Sequence, residues 1–214
     1  MNPFTLNLSA SINVFRLITN PSLCLPHHTV PTFNHLPIPL SRAFMKSDQK
    51  PDIRAIVLDK DNCFAVPKQN EIHKPYVEHF EQLKRAYPGS RLLIVSNSAG
   101  TLSDPSGAEA DLLERATGVK VLRHNTKKPG CHSEIMSYFR SQPDSGVTSP
   151  DQIAVVGDRL FTDVMLANTM GSWGFWVEQG IVEDRGLFVR MEKRLAGFLQ
   201  KRGYVAPNPR SDFE

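Results

Sequence analysis

Hydrophobic and polar positions switch between two periods along the chain after residue 50. "IRAIVLD" (53–59) is an apolar run closed by aspartate, the pattern of a strand buried on both faces. "KPYVEHFEQLKRAYPG" (74–89) turns to helical spacing, with Tyr76, Phe80, Leu83 and Tyr87 on one face. Pro75 opens it and Pro88-Gly89 stops it. "RLLIVSNS" (91–98) predicts a second strand, and "SGAEADLLERATG" (106–118) a second helix ending at Gly118. "VKVLRH" (119–124), "DQIAVVGD" (151–158) and "SWGFWVEQG" (172–180) continue as strands, the last with Trp173 and Trp176 in the core. "CHSEIMSYFRSQ" (131–142) and "LFTDVMLANTMG" (160–171) are the helices between them. "GLFVRMEKRLAGFLQKRG" (186–203) closes the chain with Phe188, Met191, Leu195 and Phe198 in register. Its charges fall on one face, as in an ordinary closing helix rather than a lipid anchor. Such alternation predicts a three-layer, Rossmann-like α/β domain, a parallel sheet with helices on both faces, over 51–204.

The first 50 residues follow another pattern. "LNLSASINVFRLIT" sets Leu8, Ile12, Phe15 and Ile18 at helical spacing opposite Ser and Asn. Next, prolines at 21, 26, 31, 37 and 39 interrupt a stretch too rich in Leu, Val, Phe and Ile for a solvated linker. This is expected to be an extended arm packed on the domain, a membrane-facing segment, or both. No apolar run approaches the ~20 residues of a spanning helix. Residues 1–47 contain no Asp or Glu, and an acid-free, hydroxyl-rich N-terminus resembles an organellar transit peptide, although its arginines are sparse for one. Residues 205–214 read as a tail.

Composition narrows the function classes. The 214 residues suit one domain with a real core. A net charge of +3 with no Lys/Arg-rich block lacks the footprint of a nucleic-acid binder. Cys24, Cys63 and Cys131 are odd in number and widely spaced, which fits a reducing compartment and no zinc site. The histidines show no ligand spacing and read as surface or helix residues. An oligomer is compatible with all of this.

Chemistry gathers at the carboxyl ends of the strands, where parallel sheets hold their ligands. Asp59 and Asp61 follow the first strand, Ser96 and Asn97 the second, Lys127 and Lys128 the third, and Asp158 and Asp163 the fourth. At a frayed strand end Lys60 should point away, so that Asp59 and Asp61 face one pocket.

"DKDNC", Ser96, a lysine before Pro129 and "GDRLFTD" occur in the order of the motifs of the haloacid dehalogenase superfamily, which residues 53–180 resemble. The resemblance implies an Mg²⁺-dependent phosphatase. Asp59 would be nucleophile and metal ligand, forming an aspartyl phosphate. Asp61 would be general acid and base, raised in pKa by partial burial beside the other carboxylates, with its backbone carbonyl on the metal. Asp158 would bind the ion, with Asp163 supporting directly or through water. Ser96, Asn97 and Lys128 would hold the phosphate, with Lys127 as the alternative lysine. Cys63 stands where the family commonly has Thr or Val. It should pack as a small hydrophobe, and it puts oxidant resistance in doubt. A receiver-like phosphoacceptor module shares these residue types, but its Lys-Pro comes last, whereas Lys128-Pro129 precedes the final carboxylates.

The spacings leave no room for a large cap, which resembles the capless class with open sites. "LDKDNCFAVP", "VSNSAGT", "RHNTKKPGC", "VVGDRLFTDVMLAN" and the N-terminal arm together resemble the fungal mitochondrial phosphatidylglycerophosphate phosphatases. That implies conversion of phosphatidylglycerophosphate to phosphatidylglycerol on the route to cardiolipin, by a peripheral enzyme at the matrix face of the inner membrane. Residues 6–45 would seat it on an anionic membrane surface. The other enzyme reading is a mitochondrial phosphatase acting on a soluble phosphate monoester.

Overall fold

In a computed structural model of the chain, which describes residues 16–46, 50–183 and 186–210, the five apolar runs become strands of one parallel sheet. These are β2 (Ala55–Leu58), β3 (Leu92–Ile94), β4 (Lys120–Val121), β5 (Ile153–Gly157) and β6 (Trp173–Val177). A sixth, β1 (His28–Val30), comes from the N-terminal arm. The order is β1-β6-β5-β2-β3-β4, with Leu58 opposite Val156 and Ile94. From β2 the chain builds outward through β3 and β4, then returns to the other side of β2 for β5 and β6. The reversal falls between β2 and β5, where an open parallel sheet forms its crevice.

Alternate strand residues feed two cores. Ile56, Leu58, Ile94 and Val156 face α1 (Val77–Ala86) and α2 (Ala108–Thr117) through Phe80, Leu83 and Leu113. Val57, Leu93, Val95 and Val155 face α3 (His132–Arg140) and α4 (Met165–Met170) through Ile135, Phe139 and Leu166. This is the expected three-layer arrangement. α2 ends because Gly118 adopts φ +67°, a left-handed cap that L side chains rarely take. Among the described residues no helix is long and apolar enough to cross a membrane.

The arm is built into the domain. His27 N–H and Glu178 N–H extend the β1–β6 ladder to Gly174 and Val30 carbonyls. Asn168 donates to the carbonyls of Leu23 and Leu25 at 2.8 and 2.9 Å, and Tyr87 accepts the N–H of Leu40 at 2.9 Å. Phe33, Leu36, Leu40 and Phe44 are buried with the α1 side of the core. Leu8, Ile12 and Phe15 lie outside the described residues; residues 16–19 are helical, with Ile18 exposed.

α5 (Leu187–Lys201) buries a different face from the expected one. Val189, Glu192, Ala196 and Leu199 are covered, while Leu187, Phe188, Met191 and Phe198 are exposed and Leu195 is half-buried. Two histidines are also drawn inward beyond expectation, His27 half-buried and His124 buried. His27 accepts the Gly174 N–H through Nδ1 and donates from Nε2 to the Pro207 carbonyl, and burial lowers its pKa. His124 is 4% exposed and bridges the carbonyls of Ser96 and Thr126.

The arm's share of the core predicts the cost of weakening it. Phe33 stacks on Phe80 and tilts against Phe64 and Tyr76. Phe33→Ala should lower the unfolding free energy by about 3–5 kcal/mol. Urea titration followed by tryptophan fluorescence checks it.

Candidate active site

The backbone places the carboxylates before any side-chain chemistry is considered. Asp59 follows β2, its N–H still donating to Val156 in the ladder. Asp158 follows β5, the adjacent strand, so the two meet at the reversal of strand order. The third, Asp163, sits on a π-helical turn, Leu160–Val164, that precedes α4. That wider turn, a form common at functional sites, turns Asp163 back toward the strand ends.

Carboxylate oxygens of Asp59, Asp158 and Asp163 lie within 4.8 Å of one another. Lys128 is buried among them. Its Nζ donates to Asp163 Oδ1 at 2.6 Å and to Asp59 Oδ1. Asp163 Oδ2 accepts the Arg159 N–H at 3.1 Å, and Asp158 Oδ2 accepts from Asn62 Nδ2 at 3.2 Å. Burial, outweighing the attraction of Lys128, raises the Asp59 pKa from 3.8 to about 7, with Asp163 adding repulsion. Burial and the nearby Asp59 and Asp163 raise Asp158 to about 8. The two neighbouring carboxylates overcome burial to hold the Lys128 pKa above its ordinary value.

Three carboxylates against one ammonium leave two formal negative charges uncompensated when all are ionised. A compact set of hard oxygens with that deficit fits a divalent cation. The raised pKa values describe the same deficit met by protons.

Asp61 borders the same pocket, of about 430 Å³, together with Asp59, Asn97, Lys128, Arg159 and Thr162. It stands outside the buried set, its side chain 35% exposed. The N–H of Lys68 (2.8 Å), the hydroxyl of Ser98 (3.2 Å) and the ammonium of Lys60 (2.9 Å) all meet its carboxylate. Lys60 does turn away from the triad, but it is buried and folds back onto Asp61 rather than into solvent. The partial burial expected of Asp61 beside the other carboxylates is therefore not found: it stands apart from them, held by these three donors.

The remaining expected residues divide. Asn97 lines the pocket and its Oδ1 accepts the Lys128 N–H at 2.8 Å. Ser96 is fully buried beneath it, its Oγ accepting the Ser98 N–H at 3.1 Å and paired with the Ser98 hydroxyl. Lys127 points elsewhere, donating to Ser103 Oγ at 3.2 Å. Cys63 packs in the core as expected for a small hydrophobe. Burial and the charges of Asp59, Asp158 and Asp163 push its thiol pKa well up, which suppresses the reactive thiolate.

Sequence reasoning missed Asn62, Ser98 and Arg159. Asn62 takes φ +62°, a conformation Asn tolerates, and its amide ties Asp158 to the N–H of Val182. The Asp-Asn pair after a strand was the available signal.

A family model described as mitochondrial PGP phosphatase matches residues 8–182. The mitochondrial phosphatidylglycerophosphatase of Saccharomyces cerevisiae is 48% identical over 194 residues, 91% of this chain and 99% of its own. A probable mitochondrial phosphatidylglycerophosphatase of Schizosaccharomyces pombe is 35% identical over 91% of this chain and 93% of its own. The chloroplastic/mitochondrial phosphatidylglycerophosphate phosphatase 1 of Arabidopsis thaliana is 35% identical over 70% of this chain and 41% of its own.

Two predictions follow from the crowding of the carboxylates. A Cβ on Gly157 would lie 2.3 Å from the Asp163 carboxylate. Gly157→Ala should displace Asp163 and weaken divalent-cation binding by about tenfold or more, since misplaced ligands and their supports typically cost 10–100-fold; calorimetric titration with Mg²⁺ as the probe reads it. In the metal-free protein Asp59 and Asp158 keep protons that the unfolded chain releases near pH 4. Stability in a chelator should therefore fall as pH rises from about 4 through the folded values near 7 and 8, and level off above them. Saturating Mg²⁺ should reduce that fall, as melting temperatures across this range will record.

Proposed function

The chain belongs to the mitochondrial PGP phosphatase family, an enzyme family, and from that premise we propose how its carboxylate pocket converts phosphatidylglycerophosphate to phosphatidylglycerol. Asp59, Asp158 and Asp163 would hold Mg²⁺, with the backbone carbonyl of Asp61 as a further ligand and Asp163 in a supporting role. When bound, the cation screens the phosphate dianion from the nucleophile and draws charge from the transferring group.

The chain's own groups carry the steps. Asp59 attacks phosphorus, forming an aspartyl phosphate as the bond from phosphorus to the glycerol oxygen breaks. Asp61, on the open side of the pocket, gives the leaving oxygen its proton. Asp61 then takes a proton from the water that attacks the aspartyl phosphate, which releases phosphate and restores Asp59. Lys128 holds Asp59 in place and offsets charge on the phosphoryl oxygens. Asn97 meets those oxygens at the pocket wall, and Ser96 joins by exchanging its bond to Ser98 for one of them.

One observation supports this division of labour above the others. Asp59 is buried against Lys128 and two further carboxylates, whereas Asp61 opens to the same pocket without joining them. The cellular reading follows the fungal relatives, whose names place them in mitochondria. The enzyme works as a peripheral protein on the matrix face of the inner membrane, on the route to cardiolipin. The acid-free N-terminal 47 residues support contact with an anionic membrane surface.

Asp59→Asn should abolish phosphate release with the circular dichroism spectrum unchanged. Asp61→Asn should lower kcat by about 10²–10⁴-fold. Activity above trace in the first variant would point to another nucleophile. Phosphate release from phosphatidylglycerophosphate, measured beside sugar and nucleotide phosphates, should favour the lipid; equal turnover of a soluble ester would favour the soluble-substrate reading.

A further inference from the structure

α5 displays an apolar face that nothing in the described chain covers. Leu187 is 80% exposed, Phe188 72%, Met191 50% and Phe198 50%. At 100° per residue these side chains, with half-buried Leu195, fall in one sector of about 100°. The adjoining sector, Val189, Ala196 and Leu199, is the one that packs on the domain. Core packing therefore leaves the outer stripe unexplained, and its aromatic residues make its exposure costly.

Charge around the stripe identifies what fits it. Arg190, Lys193, Arg194, Lys201 and Arg202 are all exposed on or just after α5, and its sole acidic residue, Glu192, is buried. The Arg202 guanidinium lies 4.3 Å from the Phe198 ring centre, so cation and apolar surface are interleaved. A second copy of the same face would set like charges against one another. An anionic bilayer satisfies both features, taking the apolar side chains below the headgroups and the basic ones among them.

We propose that α5, expected from its charge pattern to be an ordinary closing helix, is instead a lipid-docking element that lies in the surface of an anionic membrane. The inference deepens the lipid-phosphatase reading and rests on it for the identity of the substrate. Two features connect the helix to that site. A cleft of about 720 Å³ runs from Val189, Arg190 and Lys193 to Asn62 and Asp158, so a headgroup held beneath α5 has a continuous path to the carboxylates. Glu192 accepts from Arg159 Nε at 3.2 Å, Arg159 Nη2 at 3.1 Å and the Leu160 N–H at 3.3 Å, which fastens α5 to the loop between Asp158 and Asp163. The N-terminal arm adjoins the same region. Leu17 packs in the cluster of Leu195, Ala196 and Leu199, beside the exposed Ile18.

The test uses the full chain in cosedimentation with vesicles of phosphatidylcholine mixed with phosphatidylglycerol, and with phosphatidylcholine alone. The wild type should prefer the mixed vesicles. Phe188→Ser with Phe198→Ser should weaken that binding by at least about tenfold, because two inserted aromatic groups are lost. Arg194→Glu with Lys201→Glu should remove the preference for the anionic lipid. Hydrolysis of soluble p-nitrophenyl phosphate should stay within about twofold of wild type in both variants, since the altered side chains are exposed and outside the catalytic pocket. Wild-type vesicle binding by the phenylalanine variant overturns the proposal. So does an oligomer, seen by light scattering, that this variant dissociates while vesicle binding persists, because the face then belongs to a second copy. Vesicle binding is read without substrate turnover, so a failure of docking is distinct from a failure of the catalytic reading.

Discussion

Three carboxylates crowded into one buried corner, with a single ammonium between them, are the constraint on which the site depends. At the 4.8 Å limit of their separation, each like-charged pair repels by roughly 3–4 kcal/mol at an effective dielectric near 20. Lys128 relieves part of this by touching two of the three, but it does not reach far enough to neutralise the set. The corner is stable only with protons or a cation in it. The rest of the architecture holds the corner together against that repulsion. β2 and β5 are neighbours, Gly157 gives Asp163 room, and the Arg159 N–H and Asn62 amide each grip one carboxylate.

The same constraint explains why Asp61 is treated differently. A fourth carboxylate inside the cluster would add repulsion without another ammonium to offset it. Lys60 instead folds beneath the loop and meets Asp61 from the other side, while Lys68 and Ser98 supply further donors. The "DKD" lettering thus encodes two environments. One aspartate is held by Lys128 from another strand end, the other by the lysine between them.

Much of the fold, and the gathering of the candidate residues at one edge of the sheet, were legible because they rest on periodicity and on the rule that parallel strands end at ligands. What escaped did so for physical reasons. β1 is three residues among prolines, too short to show alternation, and its burial comes from pairing with β6 rather than from its own pattern. The α5 stripe of Phe188, Met191 and Phe198 had the lettering of a core face, yet the buried face is Val189, Glu192, Ala196 and Leu199. Hydropathy ranks a glutamate as surface unless its arginine partner is known, and Arg159 lies 33 residues away. Ser96 carried a motif position, but its burial beneath Ser98 depends on how the loop after β3 closes, which spacing does not encode.

Glu192 also bears on how the surface and the chemistry are connected. A helix needed only to cover the edge of a sheet would gain as much from an apolar residue there, because a buried ion pair is a weak source of stability. Its distinct contribution is positional. Two guanidinium donors and the Leu160 N–H fix both the rotation of α5 and the path of the chain leading to Asp163. Rotating α5 by even one residue would break those bonds and carry the exposed stripe off its present bearing. The face that α5 turns outward and the carboxylate turn it is bonded to are therefore set by one contact. The proposed membrane-facing stripe and the carboxylate pocket gain a fixed mutual orientation in this way.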